Sequence, residues 1–164
     1  MFREMRRKNQ QMSEESCAAV LERGTSGVLA VSGDDGYPYA VPLSYVYHDG
    51  KIIFHCAMAG HKLDAIRRCD KVSFCVIDQD EVVPEKYTTF FRSVIAFGRI
   101  KILEDEAAKR AAVDFLAQRY RPGHEEARMA EINGAMPRLC VLEISIEHMT
   151  GKEAIEIVRR KQEG

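Results

Sequence analysis

The sequence predicts a mainly β, α+β domain: a small closed or split antiparallel barrel of six strands with flanking helices. Three observations predict it. Strand-like segments alternate apolar and polar side chains and are joined by tight turns, Gly33-Asp34-Asp35-Gly36 and Asp49-Gly50. Residues 88–103 form one long β-rich run interrupted by Gly98, the mark of a bulge or barrel corner. The helices fall between hairpins, which favours an antiparallel barrel over a parallel doubly wound sheet.

The chain has 164 residues, 46% hydrophobic and 30% charged, enough to bury one sizeable core. Lys plus Arg number 24 against 25 Asp plus Glu, a formal net charge of -1, so no global field attracts nucleic acid or an anionic membrane. No apolar run approaches the roughly 20 residues that span a bilayer, and residues 1–12 lack the apolar stretch of a secretory signal. A cytoplasmic location is expected. The cysteines, Cys17, Cys56, Cys69, Cys75 and Cys140, match no zinc spacing, and most are expected to be reduced core residues; Cys56 adjoins His55 but points to the opposite strand face, so it too reads as structural.

In chain order, residues 1–12 read as a solvated basic arm (Arg3, Arg6, Arg7, Lys8). Ser13 caps a helix that buries Cys17, Val20 and Leu21 and ends at Gly24. Residues 26–32 are a strand, and 37–48 return from the first turn. Pro38 and Pro42 fall at even positions of that second strand and remove donors from the same side. It is therefore either a simple edge or bulge, or a strand whose free backbone at Val41, Pro42, Leu43 and Ser44 meets a polar heterocycle.

Residues 51–57 form the third strand, with Ile52, Phe54 and Cys56 on one face and Ile53, His55 and Ala57 on the other. Gly60 then opens a helix with His61 and Lys62 in its first turn, where unpaired amides and the helix dipole favour an anion. The stretch fits a phosphate-bearing ligand; a solvated helix start is the plainer alternative. Residues 70–77 are a strand, 78–86 a surface loop, 104–120 a helix ended by Pro122-Gly123, and 124–133 a short helix. Residues 139–148 alternate as the last strand, Thr150-Gly151-Lys152 is a turn, and the basic end (Arg159, Arg160, Lys161) of the 151–164 tail frays. No repeat, linker or second domain is visible, so residues 1–164 read as one domain.

Four segments carry a resemblance. Pro38-Tyr39-Ala40-Val41-Pro42-Leu43-Ser44-Tyr45, the run from Ile53 through His55, Cys56 and Ala57 to His61-Lys62, Lys71-Val72-Ser73-Phe74 and Ser93-Val94-Ile95-Ala96-Phe97-Gly98 resemble, in order, the flavin-binding split β-barrel proteins related to pyridoxamine 5′-phosphate oxidase. The branch named for nitroimidazole resistance is the most similar, and His148-Met149-Thr150-Gly151-Lys152 fits it too. The resemblance implies a six-stranded antiparallel split barrel and a homodimer with FMN at the subunit interface. It also implies that Val41, Pro42, Leu43 and Ser44 lie along the isoalloxazine, that His55, Cys56 and Ala57 border the ring or ribityl chain, and that His61 and Lys62 hold the phosphate. Arg92, Ser93 and Val94 would come from the partner subunit, and His55 would be catalytic, although a histidine on a barrel strand is more often a packed residue.

Tyr45, Tyr47, His55 and Lys62 are the groups near this site able to handle protons. An FMN-dependent oxidoreductase of a small electron-poor molecule, such as a nitroaromatic, is the leading expectation. A non-catalytic flavin- or haem-binding barrel, with His55 or His61 as haem ligand, is the alternative. Oxidation of pyridoxamine phosphate itself is disfavoured, because no extended basic pocket is evident in the C-terminal region.

Overall fold

The computed structural model describes residues 1–163. Helix α1 (Glu14–Arg23) starts on Ser13, whose hydroxyl accepts the Ser16 amide at 3.1 Å. Seven strands follow: β1 (Ser26–Ser32), β2 (Pro38–Ser44), β3 (Val46–His48), β4 (Lys51–Cys56), β5 (Lys71–Val83), β6 (Thr88–Ile102) and β7 (Cys140–Glu153). Helix α2 (His61–Arg68) joins β4 to β5, and α3 (Glu106–Tyr120) and α4 (Glu125–Ala135) join β6 to β7. Helix α5 (Ile155–Glu163) closes the described chain.

All strand pairs are antiparallel, in the order β2-β1-β5-β6-β7-β4-β3. The sheet is a split barrel left open, with β2 and β3 as its edges. Its concave face buries Leu29, Ile52, Phe54, Phe74, Leu142 and Ile144 together with Val20 and Leu21 of α1. Alternation along β4 sends Ile53 to the opposite face, where Val141 joins it beneath Val113, Leu116 and Ile132 of α3 and α4. The fold thus has two apolar layers on the two sides of β4 and β7.

Gly98 sits where the β6–β7 register shifts. A Cβ there would lie 2.2 Å from the Ser145 carbonyl oxygen, so β6 and β7 approach each other only because the side chain is absent. The Asp49-Gly50 turn is also as predicted, with both residues at positive φ (48° and 72°).

Five expectations need correction. The strand count is seven because the 37–48 run breaks at Tyr45. That ring is buried edge-on against Phe74 at 5.1 Å, and its hydroxyl donates to the Leu21 carbonyl at 2.8 Å. Satisfying a buried phenol turns the chain from β2 into β3.

Residues 78–86 are not a surface loop. The β5–β6 ladder continues to Val83↔Thr88, past a bulge at Asp78, and Pro84–Lys86 with left-handed Tyr87 make the turn. Residues 150–152 continue β7, and Gly151 is needed for close packing: a Cβ there would lie 2.4 Å from the Cys17 sulfur. The tail is helix α5, with Ile157 packed beside Phe90 and Ala154. The arm is also less solvated than predicted, since Gln10 and Met12 are buried and the Met12 amide donates to the Gly151 carbonyl at 2.9 Å.

Candidate functional site

The corner where β4 passes into α2 is built by Gly60. Its φ of 137° and ψ of 167° suit glycine alone, and open space surrounds the position a Cβ would take. The Leu63 and Asp64 amides donate to the Gly60 carbonyl at 2.9 and 3.2 Å. The His61 and Lys62 amides precede these first helical bonds, at the positive end of the helix dipole.

The two side chains behave differently. His61 stacks on Tyr39 at 4.2 Å, and its Nε2 lies 3.5 Å from an Asp34 carboxylate oxygen. Asp34 also accepts from Arg68 at 2.6 Å, so His61 is drawn toward the β1–β2 turn. Lys62 is half-buried, and among the described residues it has no ion pair or side-chain hydrogen bond. A half-buried cation left unpaired beside free amides is the arrangement an anion completes.

Strand β2 lies close by as an edge, paired to β1 from Ser26↔Ser44 to Ser32↔Pro38 and to no strand on its other side. Val41 and Leu43 pack on the core, whereas Pro42 and Ser44 are exposed. A free edge of extended backbone carries donors and acceptors that need partners. The Pro38 and Pro42 signal therefore identified the edge correctly.

Ser44 and His55 meet again in a cavity of about 520 Å³ on the outer side of β4. Helices α3 and α4 supply its apolar wall through Val113, Leu116, Ala117 and Ile132. Sequence reasoning missed this wall. Its signal was the i, i+3, i+4 stripe Val113, Leu116, Ala117 and Tyr120, but only tertiary packing shows that the stripe faces His55. Arg128 at the cavity is held by Asp114 at 2.8 Å, and the Tyr120 hydroxyl donates to the Thr25 and Tyr45 carbonyls at 2.6 and 2.8 Å. His55 is exposed, opposite Val141 in the ladder, and has no side-chain hydrogen bond among the described residues.

Two candidate proton-handling groups are weakened. Burial drives the Tyr45 phenol well above its ordinary range, and its proton is committed to Leu21. Burial also raises Tyr47. His55 and Lys62 remain open to a ligand.

Cys56 and Ala57 lead from β4 into the corner. The Cys56 thiol donates to the Ala57 carbonyl at 3.2 Å. Burial, then neighbouring Cys140, push that thiol up to about 11, with Lys62 opposing the rise.

Arg92, Ser93 and Val94 are not brought to this corner within one chain. They pair with β7 near Lys152, whereas Cys56 pairs with Cys140, about a dozen residues and some 40 Å away along the strand. Arg92 is also engaged already. Its guanidinium donates to Asp78 and to Glu153, each at 3.0 Å, in a chain of charges that Arg23 and Lys161 extend. Hydrogen bonds from Arg23, with Arg92 assisting, hold Asp78 below the usual carboxylate range. Burial alone would raise Glu153, but Lys161 and Arg92 outweigh it and lower it too. Val94 is fully buried, and Ser93 half-buried.

Among the described residues no helix is long and apolar enough to cross a membrane, and no cluster of His, Cys, Asp or Glu forms a metal site. No curated protein matches the sequence. Among solved structures, the fold is similar to a FAD-binding protein from Mesorhizobium loti, at 28% identity and a TM-score of 0.63, covering 88% of this chain and 97% of that one. It is similar to the FAD and haem binding protein from Mycobacterium smegmatis, at 22% identity and a TM-score of 0.75, over 90% and 74% of the two chains. A protein from Bacteroides thetaiotaomicron, provisionally assigned to 5-nitroimidazole antibiotic resistance, matches at 19% identity and a TM-score of 0.73, over 87% and 85%. The profile of the pyridoxamine 5′-phosphate oxidase family matches residues 13–153, nearly the whole described chain, and the protein belongs to that family.

Proposed function

We propose that the protein is an FMN-dependent oxidoreductase acting on a small electron-poor molecule, with nitroaromatic compounds as the substrate class to test first. The observation that carries this reading is the half-buried Lys62, unpaired among the described residues, at a helix start beside the free β2 edge. The residues fit the cofactor. A phosphate suits the His61 and Lys62 amides and the Lys62 ammonium, and a flat heterocycle with alternating donors and acceptors suits the backbone of Val41, Pro42, Leu43 and Ser44. FAD-binding structural neighbours support a flavin.

When bound, FMN supplies hydride or electron transfer, and the protein supplies binding, orientation and exclusion of water. Lys62 would neutralise the phosphate and hold the cofactor at the β4–α2 corner. His61, stacked on Tyr39, lends its amide and walls the corner. Cys56 and Ala57 would border the ribityl chain, and His55 stands in the cavity wall, where its imidazole would be able to give a proton to a reduced substrate. The cavity, near 520 Å³ and largely apolar, has the size of a small-molecule pocket.

The reading includes a homodimer in the cytoplasm, because only a second copy can bring Ser93 and the Val94 backbone to the β4–α2 corner. In that arrangement Arg92 positions its strand through Asp78 and Glu153 and contributes little free charge to the cofactor. A haem-binding role for His61 is disfavoured by its engagement with Tyr39 and Asp34.

The test is spectroscopic. Purified protein should show the two flavin absorption bands, and NADH or NADPH with a nitroaromatic acceptor under anaerobic conditions should bleach and restore them. A Soret band, or a flavin that no nicotinamide reduces, would overturn the oxidoreductase reading.

A further inference from the structure

Cys56 and Cys140 are directly opposite each other at the end of the β4–β7 ladder. Directly opposed residues in an antiparallel pair point to the same face, with Cα atoms about 4.5–5.5 Å apart, and a disulfide spans Cα separations of roughly 4.4–6.8 Å. Both cysteines are free thiols, and Cys140 is close enough to help raise the pKa of the Cys56 thiol. Cys140 is buried in the concave core, while Cys56 is half-buried at its margin, the last residue before the open corner. No other two of the five thiols face each other across a ladder.

We propose that Cys56 and Cys140 are a redox-active dithiol that closes into a cross-strand disulfide in response to a hydroperoxide. The more accessible sulfur, Cys56, attacks one peroxide oxygen as its thiolate. The O–O bond breaks, water or an alcohol leaves, and Cys56 becomes a sulfenic acid. The Cys140 sulfur then attacks the Cys56 sulfur, the S–O bond breaks, and the hydroxyl leaves as water with the Cys140 proton. Two thiols are oxidised by two electrons and one peroxide is reduced. Lys62 favours the attacking thiolate, while burial restrains it. The pair is consequently a slow responder compared with an exposed sensor cysteine. The inference does not depend on the flavin.

The test uses the full chain and hydrogen peroxide. Wild-type protein is oxidised, unfolded in the presence of an alkylating agent, and weighed and digested. The expected result is loss of two of the five alkylatable thiols and a cross-linked peptide pair containing Cys56 and Cys140, reversed by dithiothreitol. In Cys140→Ser, a dimedone adduct should accumulate on Cys56, because nothing resolves the sulfenic acid. Five alkylatable thiols after oxidation, or a cross-link joining any other pair, would overturn the proposal. The wild-type measurement decides even if the variant does not fold.

Discussion

Replacing Lys62 with alanine should separate phosphate recognition from folding. Lys62 is half-buried and has no ion-pair partner among the described residues, so its removal leaves no orphaned carboxylate there. It also deletes a positive charge from the positive end of α2 and installs the best helix former. Stability should therefore stay within about 0.5 kcal/mol of wild type. A charge-assisted hydrogen bond is worth about 1.5–3 kcal/mol. At about 1.4 kcal/mol per tenfold, FMN affinity should fall by about 10- to 150-fold. Fluorescence-quenching titrations with FMN and with riboflavin, which lacks the phosphate, provide the assay. Wild type should bind FMN much more tightly than riboflavin, and Lys62→Ala should lose most of that preference while binding riboflavin as before. Unchanged FMN affinity, or equal weakening toward both flavins, would refute the assignment of the phosphate to this corner.

Other consequences are open to measurement. Arg92→Met should cost about 1–3 kcal/mol, because the half-buried Asp78 and the buried Glu153 each lose one of two cationic partners while keeping Arg23 and Lys161; urea denaturation at neutral pH reads this. Both carboxylates have folded pKa values below their ordinary ones, so the stability they contribute is complete above the usual carboxylate range and is lost as pH falls through the folded values. Arg92→Met should flatten that acid limb of the denaturation midpoint. Gly98→Ala should drive a Cβ into the Ser145 carbonyl and cost at least about 1–3 kcal/mol, seen as a lowered Tm; an unchanged Tm would contradict the close β6–β7 approach. Sedimentation at micromolar concentration should give a dimer, and a stable monomer would remove the partner's contribution to the site.

Local features made much of the site legible. Alternation in Ile52, Ile53 and Phe54 followed by helical spacing from Leu63 fixes both the strand–helix handover and which face His55 takes. Pro38 and Pro42 mark β2 as an edge, and Gly98 marks the bulge. What stayed hidden depends on distant partners. Residues 78–83 read as a loop because their polar pattern hides the ladder, and Asp78 is explained only by Arg23 and Arg92. Gly151 suggests a turn until Cys17 is seen to press against it. Tyr45 continues the alternation in sequence, yet its hydroxyl seeks Leu21 and breaks the strand. The cavity wall likewise follows from the docking of α3 and α4 over β4, which no single segment encodes.

A crystal structure of the protein soaked with FMN tests the central claim most directly. The account predicts the phosphate within hydrogen-bonding reach of the Lys62 ammonium and the His61 and Lys62 amides, with the ring along Val41–Ser44. A phosphate found elsewhere, with Lys62 still unpartnered, would contradict it.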